Sequence, residues 1–254
     1  MLSLINIILK IINASWEERN LGVTCCEVTI EKDDSLSYVE DELSRLSSVQ
    51  YLVIKVDAPN VEAHLLLAKL GYTFIEANIN MFLDVRNYRL SALEQRFNSQ
   101  IHYRKLSIKK ELEGFEAGLD KGLFNTDRIY LDPNFTKEQA AHRYKCWIKD
   151  EMERGAELFE ISYKENAIGF FTQKQLDEKT YYPCLAGLYP GNQEKVGLGF
   201  SVLAKPIEDV MKRGGRYIST YVSSNNLPIV KLHTQLGFLP NKICNVFVKH
   251  NFEN

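Results

Sequence analysis

The sequence predicts an α/β (α+β) protein with a mixed, largely antiparallel sheet flanked by helices. Three observations carry this. β-rich runs alternate with runs of helical period along the chain. One strand–helix–strand pattern occurs in both halves. Hydrophobic residues make up 45% and charged residues 25% of the 254 positions, which excludes a disordered or collagen-like chain.

The repeat organises everything else. The segment YLVIKVDAPNVEAHLLLAKLGY, Tyr51 to Tyr72, aligns without a gap on YISTYVSSNNLPIVKLHTQLGF, Tyr217 to Phe238. Tyr51 matches Tyr217, Val56 matches Val222, Asn60 matches Asn226, Leu66 matches Leu232, Leu70 matches Leu236 and Gly71 matches Gly237. In each copy a β-rich run comes first. The asparagine then caps a helix, because its side-chain oxygen accepts from an orphan N–H. Pro228 fits the first helical turn, where a missing N–H costs little. The glycine supplies a left-handed residue past the helix end. Two such units predict two related domains, a smaller one over residues 1–100 and a second over 101–254.

The elements follow in order. The apolar start, Met1 to Ile12, is too short to span a bilayer. It also lacks the charged flank and small-residue cleavage site of a signal peptide. It reads as a buried strand or helix, with peripheral membrane contact as the other option. Ser37-Tyr38-Val39-Glu40 reads as a capping box, with Val39, Leu43 and Leu46 on one helical face. Tyr51 to Val56 is a buried strand, and Asn78 to Val85 is another. The charged stretch from Asn87 to Asn125 contains a linker.

In the second half Thr136-Lys137-Glu138-Gln139 is a capping box. The helix it opens has Ala140, Ala141, Tyr144, Trp147, Ile148 and Met152 at core spacing, and Gly155 closes it. Leu158 to Tyr163 and Ala167 to Gln173 form a hairpin across Lys164-Glu165-Asn166. Tyr181 to Tyr189 is a strand. The loop from Pro190 to Gly199 leads into a helix ending near Arg213, which Pro206 should kink or break. Tyr217 to Val222 and Asn245 to Phe252 are the last strands.

Lys and Arg total 31 against 33 Asp and Glu, a net charge of -2, so no overall basic excess awaits nucleic acid. The cysteines are Cys25, Cys26, Cys146, Cys184 and Cys244. An odd count without C-x-x-C spacing argues against a disulfide framework and against a zinc site. The expectation is reduced thiols in a cytoplasmic protein without a metal.

The chemistry concentrates in Gly191-Asn192-Gln193-Glu194-Lys195-Val196-Gly197-Leu198-Gly199, between a strand and a helix. Glycines there let the backbone approach a phosphate, and the helix N-terminus offers free N–H groups. A strand, the Asn226 helix and Leu236-Gly237-Phe238 follow. This order resembles the GNAT superfamily of acyl-CoA-dependent N-acetyltransferases. The resemblance spans roughly Thr126 to Phe252 and is most specific from Tyr181 to Phe238.

The resemblance implies a GNAT fold and transfer of an acetyl group from acetyl-CoA to a primary amine, by direct attack on the thioester. It implies that the backbone of Glu194, Lys195, Val196, Gly197, Leu198 and Gly199 holds the CoA pyrophosphate. Glu194 stands where the family has Gln or Arg. Leu185, Gly187 and Leu188 would carry the pantetheine arm and the acyl carbonyl, with Asn226 close by. His233 falls where many members carry a tyrosine thought to protonate the departing thiolate, and a histidine can hold that acid role. Glu160, on a candidate central strand, is the proposed base. In the first half Leu67 matches His233, and no glycine loop precedes the Ser37 helix. The first half thus resembles a degenerate GNAT-like domain, and one active site is expected, in the second.

A narrower resemblance lies in Phe124-Asn125-Thr126-Asp127-Arg128-Ile129-Tyr130-Leu131-Asp132-Pro133-Asn134-Phe135 and Tyr144-Lys145-Cys146-Trp147-Ile148. These stretches are similar to WecD-type enzymes, which acetylate a dTDP-linked amino-deoxy sugar (dTDP-fucosamine type). That implies a nucleotide-sugar acceptor for surface polysaccharide, with Arg128 and Asp132 as substrate contacts. A homodimer would follow the family habit. Two readings of other kinds stand beside it. One is an acyl-CoA-binding sensor without turnover, motivated by His233 and Glu194. The other is a GNAT acting on a peptide or antibiotic amine.

Overall fold

The structure is a computed structural model that describes residues 9–107, 109–119, 123–192 and 197–252. The first half holds β1 (Lys10–Asn13), α1 (Ser15–Leu21), β2 (Cys25–Ile30), α2 (Leu36–Arg45), β3 (Tyr51–Asp57), α3 (Val61–Lys69) and β4 (Thr73–Asp84). Next come α4 (Ala92–Asn98), β5 (Ile101–Lys105), α5 (Lys109–Gly118), α6 (Arg128–Leu131) and α7 (Lys137–Glu153). Then follow β6 (Glu157–Tyr163), β7 (Asn166–Gln175), β8 (Thr180–Leu188), α8 (Ser201–Lys212), β9 (Tyr217–Ser223), α9 (Leu227–Gln235) and β10 (Leu239–His250).

The strands form one sheet in the order β1-β2-β3-β10-β4-β9-β8-β7-β6-β5. Only β2 with β3 and β8 with β9 run parallel. Successive residues of a strand face opposite sides, and both sides are covered. Leu52, Ile54 and Val56 pack with Val39, Leu43 and Leu67 of α2 and α3, while Tyr51 and Val53 pack with Ile129 and Ala140 of α6 and α7. Phe159 and Phe171 join the core under α8, while Leu158 and Phe170 join the one under α5 and α7.

The two halves exchange their final strands. β10 lies between β3 and β4, and β4 lies between β10 and β9. β10 pairs with β3 from Cys244↔Asp57 to His250↔Tyr51, and β4 pairs with β9 from Asn78↔Ser223 to Asp84↔Tyr217. In the register that matches Tyr51 to Tyr217, these are equivalent pairs.

Most local expectations hold. Asn60 accepts from the Ala63 N–H at 3.2 Å and Asn226 from the Ile229 N–H at 3.3 Å. Gly71 and Gly237 adopt φ of 80° and 98°. The Thr136–Gln139 capping box forms. Lys164 and Glu165, both at positive φ, make a tighter hairpin turn than expected, with Tyr163 opposite Asn166.

Others need correction. Ser37 lies inside α2; Ser35 holds the N-cap position, and its hydroxyl meets that of Ser37 at 2.9 Å instead of capping the backbone. Pro206 sits within α8 without ending it. Of the described residues of the apolar start only Leu9 is buried; β1 is a largely exposed edge strand, and residues 1–8 lie outside the described part. The segment read as containing a linker carries α4, β5 and α5. All five cysteines are free thiols. Among the described residues no helix is long and apolar enough to cross a membrane.

Candidate active site

β8 and β9 stay hydrogen-bonded only at Thr180↔Tyr217 and Tyr181↔Ile218. Their counterparts β2 and β3 remain zipped over six pairs, from Cys25↔Tyr51 to Ile30↔Val56. The second half therefore opens where the first is closed. Pro183 has no N–H to give, and the Thr220 hydroxyl donates to the Pro183 carbonyl at 2.9 Å beyond the last ladder pair. Past this tie a cavity of about 220 Å³ opens, with Leu185 and Ala186 on one rim and Tyr221, Val222 and Ser223 on the other.

One side of the cavity is lined by Val202 and Leu203 of α8 and by Asn226, Ile229 and His233 near α9. His233 is 3% exposed. Its Nδ1 lies 2.8 Å from the Ile229 carbonyl, so Nδ1 carries the proton and donates. Its Nε2 is buried without a partner among the described residues. Burial pushes the ring pKa down to about 4. Nε2 thus offers a lone pair and no proton at neutral pH. As placed, the ring presents an acceptor to the cavity, whereas the acid role expected from sequence needs a proton on Nε2.

Gly197 has φ of 92°, and a Cβ there would press on the Phe97 ring at 3.3 Å. A Cβ at Gly199 would stand in open space. Leu198 is buried and anchors the turn by accepting from the Ser201 hydroxyl at 2.7 Å. α8 opens without a side-chain cap, and backbone carbonyls take two of its first N–H groups, Ser201 donating to Leu198 at 3.0 Å and Leu203 to Phe200 at 3.1 Å. Glu194, Lys195 and Val196 lie outside the described residues.

The opposite side is charged and aromatic. Phe124, Asp127, Arg128, Arg143, Tyr144 and Trp147 line it, with Glu76 and Asn78 from β4. Phe124 and Tyr144 stack with centroids 4.1 Å apart. Arg128 bonds Glu17 at 2.8 Å and Glu27 at 3.1 Å; Arg143 bonds Glu17 at 2.8 Å and Asp127 at 3.2 Å. Glu17 is fully buried. Burying such charges is tolerable only because each meets an opposite one.

Of the residues singled out from sequence, the cavity brings together His233, Leu185, Asn226 and Arg128. Gly187 and Leu188 lie further along β8, where Leu188 packs into the core. Glu160 does not line the cavity; it pairs with Arg104 at 2.9 Å on the α5 side of the sheet. Asp132 does not line it either. It accepts from His250 at 2.7 Å and from the Asn134 backbone at 3.0 Å, a structural role. The Tyr144/Trp147 face, read as core, lines the cavity. Glu76, Asp127 and Arg143 were not anticipated. For Glu76 a signal exists in Ile75-Glu76-Ala77-Asn78-Ile79-Asn80, whose alternation puts a carboxyl on one polar face of a strand in a covered sheet.

No family model matches the chain, and no curated protein matches its sequence. Solved structures match its shape. A GCN5-related N-acetyltransferase from Sphaerobacter thermophilus aligns with a TM-score of 0.61 at 11% identity, over 97% of this chain and 77% of that one. Another from Kribbella flavida gives 0.59 at 10%, over 89% and 81%. A tandem GNAT protein from the clavulanic acid biosynthesis pathway gives 0.55 at 13%, over 92% and 77%. The chain has the GNAT fold: one mixed sheet, flanked by helices, as in these acetyltransferases.

Proposed function

We propose that the chain is an acyl-CoA-dependent N-acetyltransferase that moves an acetyl group from acetyl-CoA to a primary amine. The observation that carries this is the divergence of β8 from β9 around a lined cavity, present in the second half and absent from the first. The reading keeps residues 101–254 as the catalytic domain and residues 1–100 as a degenerate GNAT-like one.

The residues fit the co-substrate. The glycine turn before α8, with open space at Gly199, suits the close approach of a pyrophosphate. The orphaned Nε2 of His233 suits an N–H or O–H donor on the pantetheine arm. His233 is thereby a binding residue in this proposal. The amine attacks the thioester carbonyl directly, and backbone N–H groups of β8 stabilise the oxygen as charge builds on it. Among amines, a nucleotide-linked amino-deoxy sugar is the finer proposal. Its support is that the stretch similar to amino-sugar acetyltransferases supplies Phe124, Thr126, Asp127 and Arg128 to the side facing away from His233.

Calorimetric titration with acetyl-CoA tests the reading, with Gly199→Glu beside the wild type. Saturable binding near one equivalent, lost in the variant, supports it. No binding at near-millimolar acetyl-CoA overturns it. Release of CoA thiol is then followed with a dTDP-linked amino-deoxy sugar, a lysine peptide, an aminoglycoside and ethylamine. Preference for either of the middle two displaces the sugar. Binding without release from any amine favours a sensor.

A further inference from the structure

We infer that Glu76, carried into the second half's cleft by the exchanged strand β4, accepts the proton that the acceptor's ammonium must lose. The inference rests on the acetyltransferase reading and assigns its base.

Four observations support it. Glu76 lines the cavity, is 6% exposed, and its Oε2 has no partner among the described residues. A carboxylate so buried is costly unless something cationic meets it. The nearby cations are committed elsewhere: Arg128 bonds Glu17 and Glu27, and Arg143 bonds Glu17 and Asp127. Asp127, Arg128 and Arg143 act on Glu76 through their charges, Tyr144 lies in the same wall, and the nearby Ser223 hydroxyl donates to the Thr126 carbonyl at 3.2 Å. These effects oppose one another, and burial dominates, raising the Glu76 pKa above the ordinary carboxyl value. That moves it toward the range where a base works near neutral pH.

The fourth observation is internal to the chain. In the register that matches Tyr51 to Tyr217, Glu76 matches Lys242 and Ser223 matches Asp57. Lys242 binds Asp57 at 2.7 Å. The closed half thus fills this position with a completed ion pair, while the open half keeps a buried carboxyl without one.

The step balances. The acceptor ammonium carries three N–H bonds. One proton passes to a Glu76 oxygen and on to solvent, freeing the lone pair that forms the N–C bond. As the C–S bond breaks, its electron pair leaves with sulfur, which takes the second proton from the attacking nitrogen. The third stays on the amide. The products are the N-acetylated amine, CoA thiol and one released proton.

Glu76→Gln keeps the shape and removes the base. The expected result is unchanged acetyl-CoA binding by calorimetry, a turnover loss of about 100-fold with the best acceptor of the panel, and loss of the acidic limb of the kcat profile. Trifluoroethylamine, already neutral at pH 7, should narrow the gap between variant and wild type to a few-fold. A variant with wild-type turnover and an intact acidic limb overturns the inference, as does an equal loss with ethylamine and trifluoroethylamine. So does a wild type that binds acetyl-CoA yet acetylates no amine. Failure of the wild type to bind acetyl-CoA sinks instead the reading on which the inference rests.

Discussion

Asn78 and Cys244 occupy matching positions in the two halves, and they face each other across the central β4·β10 pair. Their neighbours obey the same rule: Ile243 faces Ile79 as Asn245 faces Ala77, and Lys242 faces Asn80 as Val246 faces Glu76. An internal two-fold axis therefore passes between Asn78 and Cys244. Each half closes its sheet only with the other's last strand.

This exchange makes the halves interdependent. A chain ending at Gln100 lacks β10, so the inward edges of β3 and β4 lose all their ladder partners from Tyr51 to Asp57 and from Thr73 to Phe82. Exposed ladder edges cost stability and invite aggregation. Residues 1–100 alone should show poorly dispersed amide resonances and no cooperative melt. Co-expression with residues 101–254 should restore both. A cooperative melt of the isolated piece would contradict the coupling.

Gly71 and Gly237 match in sequence and both have positive φ, yet their surroundings differ. A Cβ at Gly71 meets nothing within 4 Å, whereas one at Gly237 would lie 2.5 Å from the Asn87 carbonyl oxygen. Gly71→Ala should cost only the left-handed penalty, about 1–2 kcal/mol. Gly237→Ala adds a backbone clash and should cost about 3 kcal/mol or more. Urea denaturation of the two variants decides it; equal losses would remove the steric argument.

Much of this frame was legible because its signals are local. Asn60, Asn226, Gly71, Gly237 and the Thr136 box act within one helical turn, so their spacing alone announces them. Ser37 misled because Ser35, two residues earlier, meets the same pattern of a small polar residue before a helix. Glu76 escaped for a different reason. The strand read from Asn78 actually begins at Thr73, and its cleft lies beside strands more than a hundred residues away. No local pattern reports a strand exchanged between halves. Glu160 was chosen for a central strand, but β6 lies next to the edge strand β5, and Arg104 on that edge takes the carboxylate.

His233 makes stability pH-dependent. The folded chain keeps the ring neutral until about pH 4, whereas an unfolded histidine takes its proton near pH ~6.5. Between these values the unfolded state binds the extra proton, so stability is full above ~6.5 and is lost as pH falls toward 4. The loss is on the order of 3 kcal/mol. His233→Phe should flatten this part of the pH–stability curve. In kinetics it should raise the acetyl-CoA KM and leave the alkaline limb of kcat in place. Loss of that limb would restore the acid role to His233.

Glu17 bridges Arg128 and Arg143 at full burial. Glu17→Ala takes one carboxylate from each guanidinium and leaves Arg128 with Glu27 and Arg143 with Asp127, and breaking a buried pair from one side costs about 3–5 kcal/mol. Thermal melts should show a drop of that order at pH 7. Arg19→Ala, which removes an exposed pair with Asp150, should cost at most about 1 kcal/mol. Comparable drops for the two would mean that the cluster is not acting as a buried network.

Thr220 sets where the sheet opens. The β8–β9 ladder ends at Tyr181↔Ile218, and the Thr220 hydroxyl then reaches the Pro183 carbonyl at 2.9 Å. Thr220→Val keeps the shape and leaves that buried carbonyl without its donor, a cost of about 1–3 kcal/mol. It also frees β8 to shift against β9 at the neck of the cavity, so the KM for acetyl-CoA should rise along with the lost stability. Thr220→Ser retains the hydroxyl and should keep both near wild type. If the valine variant loses stability while its KM stays fixed, the tie supports the fold without shaping the cleft. If the serine variant fails as badly as valine, the buried threonine holds the strands through its methyl group as well as its hydroxyl.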